Sequence, residues 1–200
     1  MFYNLEKNRR QAMLATTDLA HLRSRQIILI IAGHAALDQM LKMIASVALQ
    51  EQVRVMDGGN QFNVYLVARV IRRLTAQLNQ ALKNIHVSRS FNCYQMTALL
   101  EDAGVVPRAV FILDFLSSFY DEDVSLEESQ RLLRRSIRSV KRLSRQATIF
   151  ISARPSAHDP SRQVLLDMLK DAATLVWEGE PPSEEAWRNR KLLPLLDDNA

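Results

Sequence analysis

Two hundred residues, 48% of them hydrophobic and 24% charged, are enough to bury one substantial core, so one domain with a tail is the expectation. The longest apolar run, 27–32, is far too short to span a bilayer, and the charged start "MFYNLEKNRRQ" lacks the apolar stretch of a signal peptide, which predicts a cytoplasmic, membrane-free protein. A net charge of +4 permits nucleic acid without requiring it, and the single cysteine, Cys93, excludes an internal disulfide and reads as a small packed residue.

In chain order, residues 1–25 read as a polar helical lead-in, 26–178 as the core domain, and 179–200, with Pro181, Pro182 and Pro194, as a loose C-terminal extension. "QIILIIA" (26–32) opens the core as a strand and leaves through Gly33 into helix-like sequence. "QVRVMD" (52–57) is a second strand, and over 63–82 Val64, Val67, Ile71, Leu74 and Leu78 fall on one face of a helix. "IHVS" (85–88), "RAVFILDF" (108–115), "ATIFIS" (147–152) and "TLVWE" (174–178) bring the strands to six, and at 131–145 Leu133, Ile137 and Val140 form the apolar stripe of a further helix. Alternating strand and helix predict an α/β fold, a mostly parallel twisted sheet with helices on both faces, because parallel neighbours need crossovers of roughly a dozen residues. Ligands of such sheets gather outside the carboxyl ends of the strands, so the residues just after each strand are the candidates.

Four stretches in this order resemble the core of the RecA/Rad51 family of recombination ATPases. "VRVMDGGNQF" (53–62) is similar to the family's second strand and its exit, and "IHVSRSFNCYQMTALLEDA" (85–103) to the segment beyond it. "RAVFILDFLSSFYDED" (108–123) looks like the Walker B strand with its serine-containing turn, and "ATIFISARP" (147–155) sits where the family has its sensor strand. The resemblance covers roughly residues 26–178. It implies a RecA-like P-loop NTPase core with its first and fourth strands side by side, and DNA, a RecA/Rad51-type recombinase or a second copy of the chain as partner.

The nucleotide site that the resemblance implies is degenerate. A phosphate-binding loop G-x-x-x-x-G-K-S/T aligned on Gly33 requires glycine, lysine and a hydroxyl residue where this chain has Asp38, Gln39 and Met40. The glycine lets backbone approach the phosphates, the lysine neutralises them and the hydroxyl ligates magnesium. A carboxylate about 4 Å from a triphosphate is repelled by several kcal/mol at an effective dielectric of about 20, beyond the ~2 kcal/mol a helix dipole supplies. The family's catalytic glutamate would fall near Gly58 or Gly59, which leaves no carboxylate to orient water. Asp57 and Asp114 end the second and fourth strands; Asp114, at the Walker B position, reads either as a magnesium ligand or as a turn former. Gly33 reads either as a remnant of the loop or as a plain strand-to-helix turn. Both readings predict no ATP hydrolysis, no cofactor and no enzyme.

In the family the loops after the fourth and fifth strands face DNA. Here the first contains the acidic "DEDVSLEES" (121–129), which repels phosphate, whereas the second offers Arg154, His158 and Arg162 as nucleic-acid contacts. Arg131, Arg134, Arg135, Arg138, Lys141, Arg142 and Arg145 form a basic stripe, either a nucleic-acid contact or a solvated helix face suited to the helix dipole. His21, His34, His86 and His158 lack the i, i+4 pairing of a metal site, Trp177 and Trp187 read as packing anchors, and Phe2 and Tyr3 match the family's N-terminal docking motif poorly. The expectation is a non-catalytic RecA/Rad51-like accessory in DNA recombination or repair that binds DNA, a recombinase or both. The alternative is a pseudo-ATPase interaction or scaffold module, similar to the KaiC branch of the same superfamily, without DNA binding.

Overall fold

The computed structural model describes residues 26–31, 34–157 and 159–178. The predicted lead-in and extension, and with them Phe2, Tyr3, His21, Gly33, His158 and Trp187, lie outside the described residues.

Runs too apolar to face water on either side make the central strands. β1 (Ile27–Ile31) and β4 (Ala109–Leu113) are buried at every position, the mark of a strand covered on both faces. With β2 (Val53–Asp57), β3 (Ile85–Arg89), β5 (Thr148–Ala153) and β6 (Leu175–Glu178) they form one sheet in the order β3-β2-β4-β5-β1-β6. Every pairing in it is parallel. The crossovers carry α1 (His34–Val47), α2 (Val64–Leu74), α3 (Leu78–Lys83), α4 (Cys93–Glu101), α5 (Leu126–Leu143) and α6 (Gln163–Ala172). The chain is thus α/β, with a parallel sheet covered by helices on both faces.

One expectation about strand order fails. The first and fourth strands are not neighbours: β5 lies between them, with Leu29 opposite Ile151 and Ile151 opposite Ile112. The cause is burial, since β5 is itself buried at five of its six positions and such a strand is stable only with a neighbour on each side. Phe150 of β5 stacks on Phe111 of β4, centroids 4.8 Å apart and planes 11° from parallel, which locks that pairing. The exits of β1 and β4 are therefore two strand spacings apart, about 10 Å.

The two-residue period of the strands divides the interior into two cores. Ile27, Leu29, Ile31, Val110, Ile112, Ile149 and Ile151 face α4, α5 and α6, whereas Ile28, Ile30, Phe111 and Phe150 face α1, α2 and α3. The single helix expected over 63–82 is two. Thr75 turns extended at φ −151°, ψ 152°, its N–H still bonded to Ile71 O, and its hydroxyl accepts from Gln77 N at 3.1 Å, which stops the helix locally. Only Val67 and Ile71 of the expected apolar face are fully buried; Val64 and Leu74 are exposed.

The helix at 126–143 packs more closely than its leucines suggest, because Ser129, Ser136 and Ser139 lie on its buried face beside Leu132, Leu133, Val140 and Leu143. Ser136 Oγ lies 3.0 Å from Thr97 Oγ1 of α4, and Thr97 donates to Cys93 O at 2.7 Å. Cys93 is a fully buried free thiol, and burial raises its pKa. Among the described residues no helix is long and apolar enough to cross a membrane. Replacing Phe111 by Ala removes the ring that joins β4 to β5, and chemical denaturation should show a loss of about 3–5 kcal/mol.

Candidate functional site

The carboxyl ends of β2, β4 and β5 converge at one edge of the sheet, and the groups there engage one another. At the end of β2, Asp57 is fully buried and acts as a cap for the loop it opens: Oδ1 accepts from Gln61 N at 2.8 Å and Oδ2 from Phe62 N at 2.9 Å. Arg89, at the end of β3, brings Nε within 3.4 Å of the same carboxylate. Gln61 Nε2 donates to Gly59 O at 2.9 Å, and Asn60 takes the left-handed φ of 53° that this tight loop needs.

Asp114, the first residue past β4, also has a left-handed φ, 49°, a conformation that aspartate tolerates better than most residues. Its N–H donates to Ser152 Oγ at 2.9 Å, and the residue is 5% exposed. Arg154 Nε donates to Asp114 Oδ1 at 3.1 Å and Arg154 Nη2 to Oδ2, a two-point pairing. That hydrogen bond holds the Arg154 guanidinium above its already high pKa. Tyr120 OH donates to Arg154 O at 2.9 Å; burial, reinforced by the Asp114 and Asp167 charges, raises the phenol far above its usual pKa, so it stays a neutral donor.

The glycines of "DGGN" have a steric reason to be where they are. A Cβ on Gly59 would sit 2.7 Å from Asp114 Cβ, and one on Gly58 would lie 3.1 Å from Asp114 O. No larger residue fits at 59 while Asp114 keeps this conformation. The missing glutamate is therefore a matter of space as well as of chemistry.

Four predicted site residues are placed elsewhere or engaged otherwise. α1 begins at His34, three residues after β1 ends at Ile31, too few for a loop that wraps a phosphate. Asp38, Gln39 and Met40 lie in the second turn of that helix; Met40 is fully buried in the core and Gln39 nearly so, while Asp38 is exposed. The expected repulsion between Asp38 and a bound triphosphate is replaced by a simpler fact: the helix starts before such a loop is complete.

Arg162, expected at a nucleic-acid surface, is 4% exposed. Its Nη1 donates to Phe119 O at 2.8 Å and to Ser129 Oγ at 3.3 Å, and its Nη2 to Val124 O at 2.6 Å. It clamps the 117–124 turn to α5, so its burial removes it from any phosphate contact. Arg154 remains half-exposed, with its charge matched by Asp114.

The basic stripe of α5 is largely engaged as well. Arg131 forms two 2.6 Å bonds to Glu128, Arg135 two bonds of 2.9 and 2.7 Å to Glu101, and Arg142 donates to Leu100 O, Glu101 O and Ala103 O at the end of α4. These arginines hold Glu101 and Glu128 below the usual carboxylate range. Arg135 and Arg142 of the stripe thus knit α5 to α4, while Arg131 pairs within α5.

Asp57, Asp114 and Arg154 are brought together; Asp38, Gln39, Met40 and Arg162 are not part of that group. Arg89 and Ser152, among the strand-exit candidates, join it too, and so does Tyr120, which has no local sequence signal; the strand order makes them neighbours. Among the described residues no three His, Cys, Asp or Glu side chains are grouped to hold a metal ion. No protein-family model matches this sequence, and no curated protein matches it.

Arg162→Ala should leave one buried and one half-buried carbonyl without this donor and lower stability by about 2–4 kcal/mol in urea unfolding. Arg154→Ala, at a half-exposed pair, should cost no more than about 1–2 kcal/mol in the same measurement.

Proposed function

We propose that the chain is a non-catalytic, RecA/Rad51-like accessory protein in DNA recombination or repair, acting by contact with DNA or with a recombinase and without nucleotide turnover. One observation carries the non-catalytic part: at the sheet exits, the groups a polyphosphate would need are already bound to each other. Asp57 caps its own loop, and Asp114 is neutralised by Arg154. The first three turns of α1 contain one cation, Lys42, in the third. Phosphoryl transfer runs on positive charge and a water-orienting group held ready for the substrate, and among the described residues at these exits neither is left free. The link to recombination is supported by the ordered sequence resemblance over 26–178 and by the parallel α/β core, with the strand adjacency it implied set aside.

A second reading, a scaffold module without DNA binding, draws on two observations. Burial of Arg162 and pairing of Arg154 remove two of the expected phosphate contacts.

Titration calorimetry with magnesium and millimolar ATP should give no binding heat. Micromolar, magnesium-dependent affinity would end the non-catalytic reading. Fluorescence anisotropy with single- and double-stranded oligonucleotides separates the two readings. Binding that weakens steeply between about 50 and 200 mM salt supports the accessory role; none at the lower salt leaves the scaffold.

A further inference from the structure

Residues 58–100 contain five Lys or Arg (Arg69, Arg72, Arg73, Lys83 and Arg89) and not one Asp or Glu. The net charge of +4 is more than accounted for by this stretch. The stretch folds into α2, α3, β3 and most of α4, and β3 is the terminal strand of the sheet, so the charge lies along one edge of the molecule.

Three of its arginines differ in kind from the engaged ones of α5, whereas Arg89 also pairs with Asp57. Tyr65, Arg69, Arg72 and Arg73 recur at i, i+4, i+7 and i+8 on α2, so they share a face, and all four are exposed. Among the described residues no hydrogen bond or ion pair engages the guanidinium of Arg69, Arg72 or Arg73. A solvated basic helix face normally carries acids three or four residues away, as Glu128 serves Arg131; here none is in reach along the chain.

Aromatic rings are added at the same edge. Tyr65 is 83% exposed and Phe91 76%, although rings of this size dominate cores when buried. Arg89 Nη2 donates to Phe62 O at 3.4 Å, which ties the exit of β3, just before Phe91, to the turn that opens α2, where Tyr65 is the second residue. Asn63 and Asn92 cap α2 and α4, so two helix N-termini also open beside the exits of β2 and β3, and each favours negative charge.

We propose that the exposed face of α2, together with Phe91 and Arg89 at the exit of β3, is a single-stranded nucleic-acid surface in which Tyr65 and Phe91 stack on bases while Arg69, Arg72 and Arg73 hold successive phosphates. The occupant follows from complementarity: the uncompensated positive charge calls for a polyanion, and rings among the cations call for one with exposed flat faces, which a duplex conceals. From Tyr65 to Arg73 the helix rises about 12 Å, room for roughly three to four stacked nucleotide steps. The surface rests on the DNA-binding arm of the function proposed above and relocates it from the β5 loop.

The test is anisotropy on the full chain with labelled oligothymidylate and with a duplex of equal length, across a salt series. Wild type should bind the single strand more tightly. Arg69→Ala/Arg72→Ala/Arg73→Ala should lose about tenfold or more and flatten the slope of log affinity against log salt by about two, at ~0.7 per phosphate. Tyr65→Ala/Phe91→Ala should lose about tenfold with the slope unchanged. The equal charge change Arg134→Ala/Arg138→Ala/Arg145→Ala, on α5 and the turn that follows it, should stay within about twofold. All eight positions are exposed, and circular dichroism melts confirm that each variant folds. Equal losses from the two arginine triples, or a preference for duplex, overturn the proposal. Wild-type binding that the α2 variants leave untouched overturns this surface alone and leaves the accessory role standing. Failure of the wild type to bind any oligonucleotide removes this surface together with the DNA-binding arm of the accessory role, and favours the scaffold.

Discussion

Where β4 ends, the backbone enters the left-handed region at Asp114, and the carboxylate projected by that turn has to be housed between the exits of β2 and β5. Each neighbour conforms to it. Gly59 leaves the space, Ser152 accepts the Asp114 N–H, and Arg154 matches the charge. A buried carboxylate without such a partner would be costly by several kcal/mol, so the arrangement holds together or is lost together. This closure makes the carboxyl edge of the sheet a finished piece of structure. Any contact with a partner is therefore expected from faces that are not already satisfied.

Arginine illustrates the point, because one residue type plays three parts here. Arg162 works as a buried clamp on backbone carbonyls. Arg135 and Arg142 join one helix to another. Arg69, Arg72 and Arg73 point their charge at solvent with no acid to oppose it. Net charge alone distinguishes none of these roles; the distribution of the missing acids does.

The fold class was legible because the strand runs are short, apolar and separated by helical spacing, a pattern few other architectures produce. The order of the strands was not, since pairing joins residues more than a hundred positions apart, as Ile27 with Ile149. The break at Thr75 was hidden by a periodicity that runs on through Leu78, and Arg162 was misread because a lone arginine among small loop residues is ordinarily exposed. Asp57 and Asp114 were found from their positions after strands, but their partners Arg89 and Arg154 emerge only when the sheet brings those exits together. The acid-free stretch at 58–100 was present in the sequence throughout; its meaning required knowing that it forms a single edge.

The placement of β1 also governs how the chain matures. Its neighbours are β5 and β6, both near the far end of the core, whereas β2, β3 and β4 pair among themselves within a much shorter span. During synthesis the most apolar strand, IILII, emerges first and waits for residues past 148 before it has a lateral partner. Such non-local closure is slow. On the ribosome the early product is thus a three-stranded half with a sticky leading segment, the species on which a chaperone would act.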